Sequence, residues 1–178
     1  SKEPNQKNTR KDQKKWNKTS SWDRKKQIEP ITDPAKLRAR ALYWISKRDY
    51  SIKDFTDKLN KVCEVSELIE PLVEDFIRRD WLNEDRYLSS YVRNKLSMGL
   101  GFYRIKQELK QHGISSDKAD LYFEQLETDW FEQAKQTYQR KYYDSPIKDL
   151  KEKAKRFRYM QYRGFSPDEI NYAMETES

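Results

Sequence analysis

The chain has 178 residues, 38% of them charged and 35% hydrophobic, with a formal net charge of +7. That balance is too polar for a compact globule with one large core, and it suits an elongated array of amphipathic helices, which has more surface per residue. No apolar run approaches the ~18 residues of a membrane span, the lysine-rich start does not read as a secretory signal, and the single cysteine, Cys63, permits no intrachain disulfide, as expected in a reducing cytoplasm.

Residues 1–32 read as a basic tail. Residues 1–30 carry a net +6, and no aliphatic residue occurs between Ser1 and Gln27. Such a segment cannot bury enough surface to offset its ordering entropy. Trp16 and Trp22 interrupt the lysines and are candidate tail contacts, because an indole can stack on a base or anchor in a partner's pocket.

From Pro34 onward the apolar spacing is that of amphipathic helices. Leu37, Ala41, Trp44 and Ile45 mark the first, and Ile52, Phe55 and Leu59 the second. Leu68, Ile69, Leu72, Val73, Phe76 and Ile77 form a broad third face, with Pro71 placing the helix start near Glu70 rather than at Ser66. Tyr87, Leu88, Tyr91, Val92 and Leu96 mark the fourth; Phe102, Ile105 and Leu109 the fifth; Ala119, Tyr122, Phe123 and Leu126 the sixth. Trp130, Ala134, Tyr138 and Tyr142 mark the seventh, Leu150, Ala154, Phe157 and Met160 the eighth, and Ile170, Ala173 and Met174 a short ninth.

These nine helices form three triplets, at 33–82, 83–128 and 129–178. The internal echo is clearest between residues 112–120, HGISSDKAD, and residues 163–171, RGFSPDEIN. In each, a glycine suits the positive φ that ends a helix, an apolar residue staples the turn, and a serine caps the next helix. Ser66, Ser115 and Ser166 stand about 50 residues apart, within the range of helical repeats. The expected architecture is all-α: three tandem three-helix repeats in an elongated array behind a basic tail.

Catalytic chemistry is thin. His112, the sole histidine, precedes Gly113 and reads as a helix-end residue interacting with the dipole. Cys63 has no histidine near it in sequence and reads as a packing residue. Cys/His metal sites are excluded by count. The run Gly99–Leu100–Gly101 has neither the preceding strand nor the Lys-Ser/Thr of a phosphate loop and reads as a helix–helix turn. The segments WLNEDRYL and YDSPIKDL read as helix-start caps. No cofactor is expected.

Charge is unevenly placed. Residues 31–134 carry −2, residues 135–163 carry +7, and residues 164–178 carry −4. In the late basic stretch Lys148, Lys151, Lys155 and Arg158 are spaced 3, 4 and 3 and should share one helical face, with Leu150, Ala154 and Phe157 on the buried side and Arg156 and Arg163 adding charge. In the middle triplet Arg93 and Lys95 end one helix while Arg104 and Lys106 begin the next, which gathers four cations at one turn. Cations at a helix start gain nothing from the dipole. These ten residues are the candidate contacts for a polyanion or an acidic protein face.

Four stretches carry a resemblance to the RecX family, the bacterial regulators of the RecA recombinase. RDYSIKDFTDKL, Arg48 to Leu59, is similar to Arg-x-x-Ser-x-x-Glu-Leu-x-x-Lys-Leu; DWLNEDRYLSSYVRNK, Asp80 to Lys95, to Gly-Tyr-Leu-Asp-Asp-x-Arg-Phe. MGLGFYRIKQELKQHGIS, Met98 to Ser115, resembles Gly-x-Gly-x-x-Arg-Ile-x-x-Glu-Leu-x-x-x-Gly-Ile, and KAKRFRYMQYRGFSPDEI, Lys153 to Ile170, resembles Lys-x-x-Arg-Phe-Leu-x-x-Arg-Gly-Phe. Together they span residues 35–175. The departures are local: Asp80–Trp81 stands for Gly–Tyr, Phe55 for Leu, Phe102 for Pro, and the tail is longer than the family pattern.

The resemblance implies tandem three-helix repeats in a curved, elongated shape and a regulator without a nucleotide site or catalytic centre. It implies binding to the RecA filament on DNA, in its helical groove, with inhibition of ATP hydrolysis, strand exchange and coprotease activity. Such a protein modulates homologous recombination, DNA repair and the SOS response. It is expected to be cytoplasmic and monomeric, and to bind single- or double-stranded DNA weakly by itself. The alternative is a helical repeat protein that binds nucleic acid directly, without RecA.

Overall fold

The computed structural model describes residues 29–175. The tail contacts expected at Trp16 and Trp22 lie outside the described residues. Nine α-helices occur among them: α1 (Pro34–Ile45), α2 (Ile52–Asn60), α3 (Ile69–Arg78), α4 (Glu84–Ser97), α5 (Phe102–Gln111), α6 (Ser116–Leu126), α7 (Trp130–Tyr142), α8 (Leu150–Arg163) and α9 (Pro167–Glu175). The fold is all-α, in three consecutive helix triplets.

Local chemistry sets most of these boundaries. The side chains of Asp33, Ser51, Asn83, Ser115, Asp129 and Asp149 each accept a hydrogen bond from a backbone amide of the first turn that follows. Each such cap contributes about 1 kcal/mol. Asn83 and Asp149 lie in the two segments read as caps. Ser166 and Glu169 form a reciprocal capping box, the Ser166 amide donating to Glu169 Oε2 at 2.7 Å and the Glu169 amide to Ser166 Oγ at 3.3 Å. In the first triplet Ser66 opens a single 3-10 turn, Ser66–Leu68, and α3 continues from Ile69. Pro71 thereby falls in the first helical turn, where no amide is needed. Each helix from α3 to α8 is followed by a residue of positive φ: Asp80, Gly99, Gly113, Glu127, Tyr143 and Gly164. Asp80 takes a φ of 59° where the family pattern has glycine, and it accepts from Asn83 Nδ2 at 2.7 Å.

The apolar faces close into three separate cores. The first surrounds Leu37, Ala41, Phe55, Leu59 and Phe76, the second Val92, Ile105, Leu109 and Ile114, and the third Ala134, Met160, Phe165, Ile170 and Ala173. Phe55 and Phe76 are fully buried with ring centroids 5.7 Å apart. Burial of such a side chain stabilises by roughly 1.5–3 kcal/mol. Ile77, expected on the buried face of α3, is 42% exposed. It sits at the edge of that stripe, and the core is already closed by Val73 and Phe76.

Two joints connect the three cores. Between the first and second triplets, His112 Nδ1 lies 2.7 Å from Asp54 Oδ2, the Ile52 amide donates to Glu84 Oε1 at 3.2 Å, and Arg86 pairs with Asp49 at 2.7 Å. Between the second and third, the backbones touch. The Gly101 amide donates to the Arg163 carbonyl at 2.8 Å and the Tyr103 amide to the Gly164 carbonyl at 3.2 Å. Gln133 Nε2 donates to the Leu96 carbonyl at 2.8 Å, and Thr137 Oγ1 donates to the Gly99 carbonyl at 3.1 Å. Trp130, the first residue of α7, packs into the second core against Phe102 and Phe123.

Candidate nucleic-acid interface

The late basic helix buries only part of its expected apolar face: Met160 is buried and Phe157 packs against the third core. Leu150 is 84% exposed and Ala154 is also exposed, while Arg156 and Met160 face the core. The Arg156 guanidinium is the reason. It donates to Tyr138 Oη at 2.8 Å, to the Ser145 carbonyl at 2.8 Å and to Glu152 Oε1 at 2.6 Å, and it stacks on Tyr142 at 4.5 Å. A buried charge persists only when paired and hydrogen-bonded in this way. Desolvation opposes the Arg156 charge, but Glu152 and Tyr138 outweigh it and push the pKa up. Arg156, counted among the partner contacts, is therefore turned inward: it pins the α7–α8 connection and is withdrawn from the surface.

With Arg156 inward, Lys151, Lys155 and Arg158 stand exposed on the outer side of α8. None of them forms an ion pair among the described residues. Lys148 does not share their helical face, because it precedes the Asp149 cap; its backbone amide donates to Glu152 Oε2 at 3.1 Å.

The middle cluster is largely self-neutralised. Glu108 sits between Lys95 Nζ and Arg104 Nε, each 2.8 Å away, and accepts from Tyr91 Oη at 2.8 Å. Burial raises the Glu108 carboxyl pKa, but the bonds from Lys95, Arg104 and Tyr91 outweigh it and hold the group down at about 2. Lys106 pairs with Asp120 at 2.6 Å. Only Arg93, exposed on α4, is without an ion pair in this set among the described residues. The four cations do adjoin one turn, yet three of them are spent on intramolecular partners.

Two functional candidates escaped the sequence reading. Arg140 and Lys141, at the end of α7, line one cleft with Arg163 of α8 and Tyr159, over the Met98–Gly99 turn. Arg140 donates to the Ser97 carbonyl at 3.1 Å, and Arg163 donates to the Met98 carbonyl. Their signal was present in the +7 of residues 135–163, but nothing in helical spacing ties α7 to α8 across a connection of seven residues.

His112 ends α5 as expected, and its ring also reaches across to Asp54 and packs against Tyr91 at 5.2 Å. Cys63 is buried and its thiol donates to the Val65 carbonyl at 3.3 Å. Among the described residues no three His, Cys, Asp or Glu side chains gather as a metal site, and no helix is long and apolar enough to cross a membrane. The arrangement offers exposed and carbonyl-held cations beside aromatic rings, which is chemistry for holding an anion.

Comparison with known proteins gives a consistent result. Residues 83–121 match the family model "RecX, second three-helix domain" and residues 127–174 match "RecX, third three-helix domain". The regulatory protein RecX of Ectopseudomonas mendocina is 34% identical over 140 residues, which is 79% of this chain and 93% of that protein. That of Actinobacillus pleuropneumoniae serotype 5b is 35% identical over 136 residues, 76% of this chain and 89% of its own length. In fold, the chain is similar to the crystal structure of RecX from Lactobacillus salivarius, with a TM-score of 0.68 at 23% identity over 81% of this chain and 96% of that one.

Proposed function

Because the chain belongs to the RecX family of regulatory proteins, we propose that it binds the RecA filament on DNA and lowers RecA ATP hydrolysis, strand exchange and coprotease activity, so moderating recombination, repair and the SOS response. The observation that carries this reading is the match of curated RecX proteins over more than three quarters of the chain. The geometry supports it with cations that have no carboxylate partner: Lys151, Lys155 and Arg158 on the outer side of α8, Arg93 on α4 and Arg163 at the joint. Lys95, Arg104 and Lys106 contribute field more than direct contact, since each already holds an acid. The basic segment of residues 1–32 adds affinity through counterion release, and the repeats at 33–82, 83–128 and 129–178 act as one monomeric cytoplasmic protein without enzymatic activity.

The test is RecA ATP hydrolysis on single-stranded DNA with this protein titrated in. Hydrolysis should fall as the protein is added, and charge reversal at Lys151, Lys155 and Arg158 together should weaken the effect with helicity unchanged. Hydrolysis that stays constant up to equimolar protein contradicts the proposal. The second reading, direct nucleic-acid binding without RecA, is favoured by the same exposed cations and predicts tight, steeply salt-dependent binding to bare DNA.

A further inference from the structure

We propose that the cleft between the second and third triplets is a phosphate seat for single-stranded nucleic acid, with Tyr162 beside it as a stacking platform for a base. The cleft has a volume of about 150 Å3 and is lined by Arg140, Lys141, Arg163, Thr137 and Tyr159, with no acidic residue among its lining. Room for a water is about 30 Å3, so a phosphate group and several waters fit.

The charge here is uncompensated. Arg140, Lys141 and Arg163 form no ion pair among the described residues. Arg140 and Arg163 donate instead to the Ser97 and Met98 carbonyls at the end of α4. Those bonds fix the guanidinium groups in place and leave their charge intact, because a carbonyl is neutral. The α4 dipole offers only about half a negative charge against three cations. Arg163 Nε is buried and has no hydrogen-bond partner in the structure. A buried donor without an acceptor is uncommon, and a guanidinium is built to hold phosphate oxygens through several N–H groups at once. Structural capping explains the terminal nitrogens of these arginines, and Lys141 Nζ lies 5.5 Å from the Tyr159 ring; neither contact supplies a negative charge.

The neighbouring ring selects the class of anion. Tyr162 lies three residues beyond Tyr159 on α8, 71% exposed, with the Arg104 guanidinium 4.8 Å from its centroid. Residues three apart are neighbours on a helix. Lys155 and Arg158 continue the exposed positive side of α8 away from the cleft, so cations and an exposed ring alternate over about 10 Å of helix. A strand with a phosphate in the cleft can stack a base on Tyr162, as single-strand binders do. An acidic peptide would fill the cleft and leave Tyr162 unused.

The inference does not rest on RecA, because the probes are inorganic phosphate and a bare, labelled oligothymidine. Three full-length variants are compared with the parent: Lys141→Glu in the cleft, Tyr162→Ala beside it, and Lys36→Glu on the far triplet, whose exposed lysine makes the same change of charge. Fluorescence anisotropy should show oligothymidine affinity about 10-fold lower for Lys141→Glu and less than about 2-fold lower for Lys36→Glu. Tyr162→Ala should lose about 5-fold or more on the oligonucleotide. In NMR spectra of the parent, inorganic phosphate should move the Arg163 Nε–H resonance, and should do so equally in Tyr162→Ala but not in Lys141→Glu. Equal weakening by Lys141→Glu and Lys36→Glu overturns the seat in favour of general charge, and so does an Arg163 resonance that phosphate does not move. Oligonucleotide binding unaltered by Tyr162→Ala overturns the nucleic-acid assignment in favour of an acidic protein. None of these outcomes alters the ATP hydrolysis test above, so the two readings fail separately.

Discussion

The two joints of the array are built from different materials. The first, between the first triplet and the α4–α5 pair, is polar and ionic: His112 with Asp54, Arg86 with Asp49 and Asp80, and the Glu84 carboxylate, which accepts from the Ile52 amide. No backbone-to-backbone hydrogen bond crosses it among the described residues. The second joint is steric: the turn at Gly101 lies directly against the turn at Gly164, main chain on main chain, with Gln133 and Thr137 completing the carbonyls. An ionic joint weakens with salt, whereas a joint of packed backbone responds to a single methyl group. The proposed phosphate seat lies on the steric joint, where its cations are held in fixed register.

The sharpest way to break this contrast is Gly101→Ala. A Cβ there would meet the Gly164 carbonyl oxygen at 2.4 Å, and neither backbone can step aside cheaply. The variant should lose about 3 kcal/mol or more in urea unfolding and show the third triplet melting apart from the rest. Loss of less than about 1 kcal/mol would mean the joint is not tightly packed.

Acid probes an ion-pair cluster inside the second triplet, away from the first joint. The Glu108 carboxylate binds Lys95 and Arg104, and Arg104 covers Tyr162 of the third triplet. Its folded pKa, about 2, lies below the ordinary 4.5. The stabilisation is therefore fully present above about pH 4.5 and is lost as pH falls toward 2. After allowance for solvent screening it is on the order of 2 kcal/mol. Unfolding free energy measured against pH should drop across that window, and Glu108→Gln should flatten the drop.

Asp54→Ala removes the His112 partner across the first joint and should cost about 1–2 kcal/mol. Across the same joint, a double-mutant cycle of Arg86→Ala with Asp49→Ala should give a coupling that shrinks in ~1 M NaCl, where the screening length is about 3 Å. The Gly101→Ala penalty should not change with salt. The smallest effect is a gain: Asp80→Gly, at a φ of 59° on the rim of the first joint beside Arg86, should stabilise by about 0.5 kcal/mol. The loss of the Asn83 bond limits that gain.

What could be read from the sequence was what short-range chemistry determines. The triplets, the caps at Asn83, Ser115 and Asp149, and the glycine stops at Gly113 and Gly164 all depend on residues within one turn of each other. The resemblance carried the family assignment. The joints were not legible, since Gly101 and Gly164 look like ordinary turn glycines until their backbones are seen to touch. Nor was Arg156: a charge count cannot tell a solvated arginine from one enclosed by Tyr138, Ser145 and Glu152. The middle cluster was half legible, because the i, i+4 pair of Arg104 with Glu108 is local while Lys95 joins it from another helix.

The nucleoprotein filament is the preferred partner, and bare nucleic acid binds more weakly. Anisotropy of this protein, labelled and titrated at physiological salt with either RecA-coated or bare single-stranded DNA of one length, tests it most directly. Binding to the coated strand should be at least about 10-fold tighter, a difference of roughly 1.4 kcal/mol. Equal affinity for the two, or tighter binding to the bare strand, would contradict it and leave a nucleic-acid-binding repeat protein in its place.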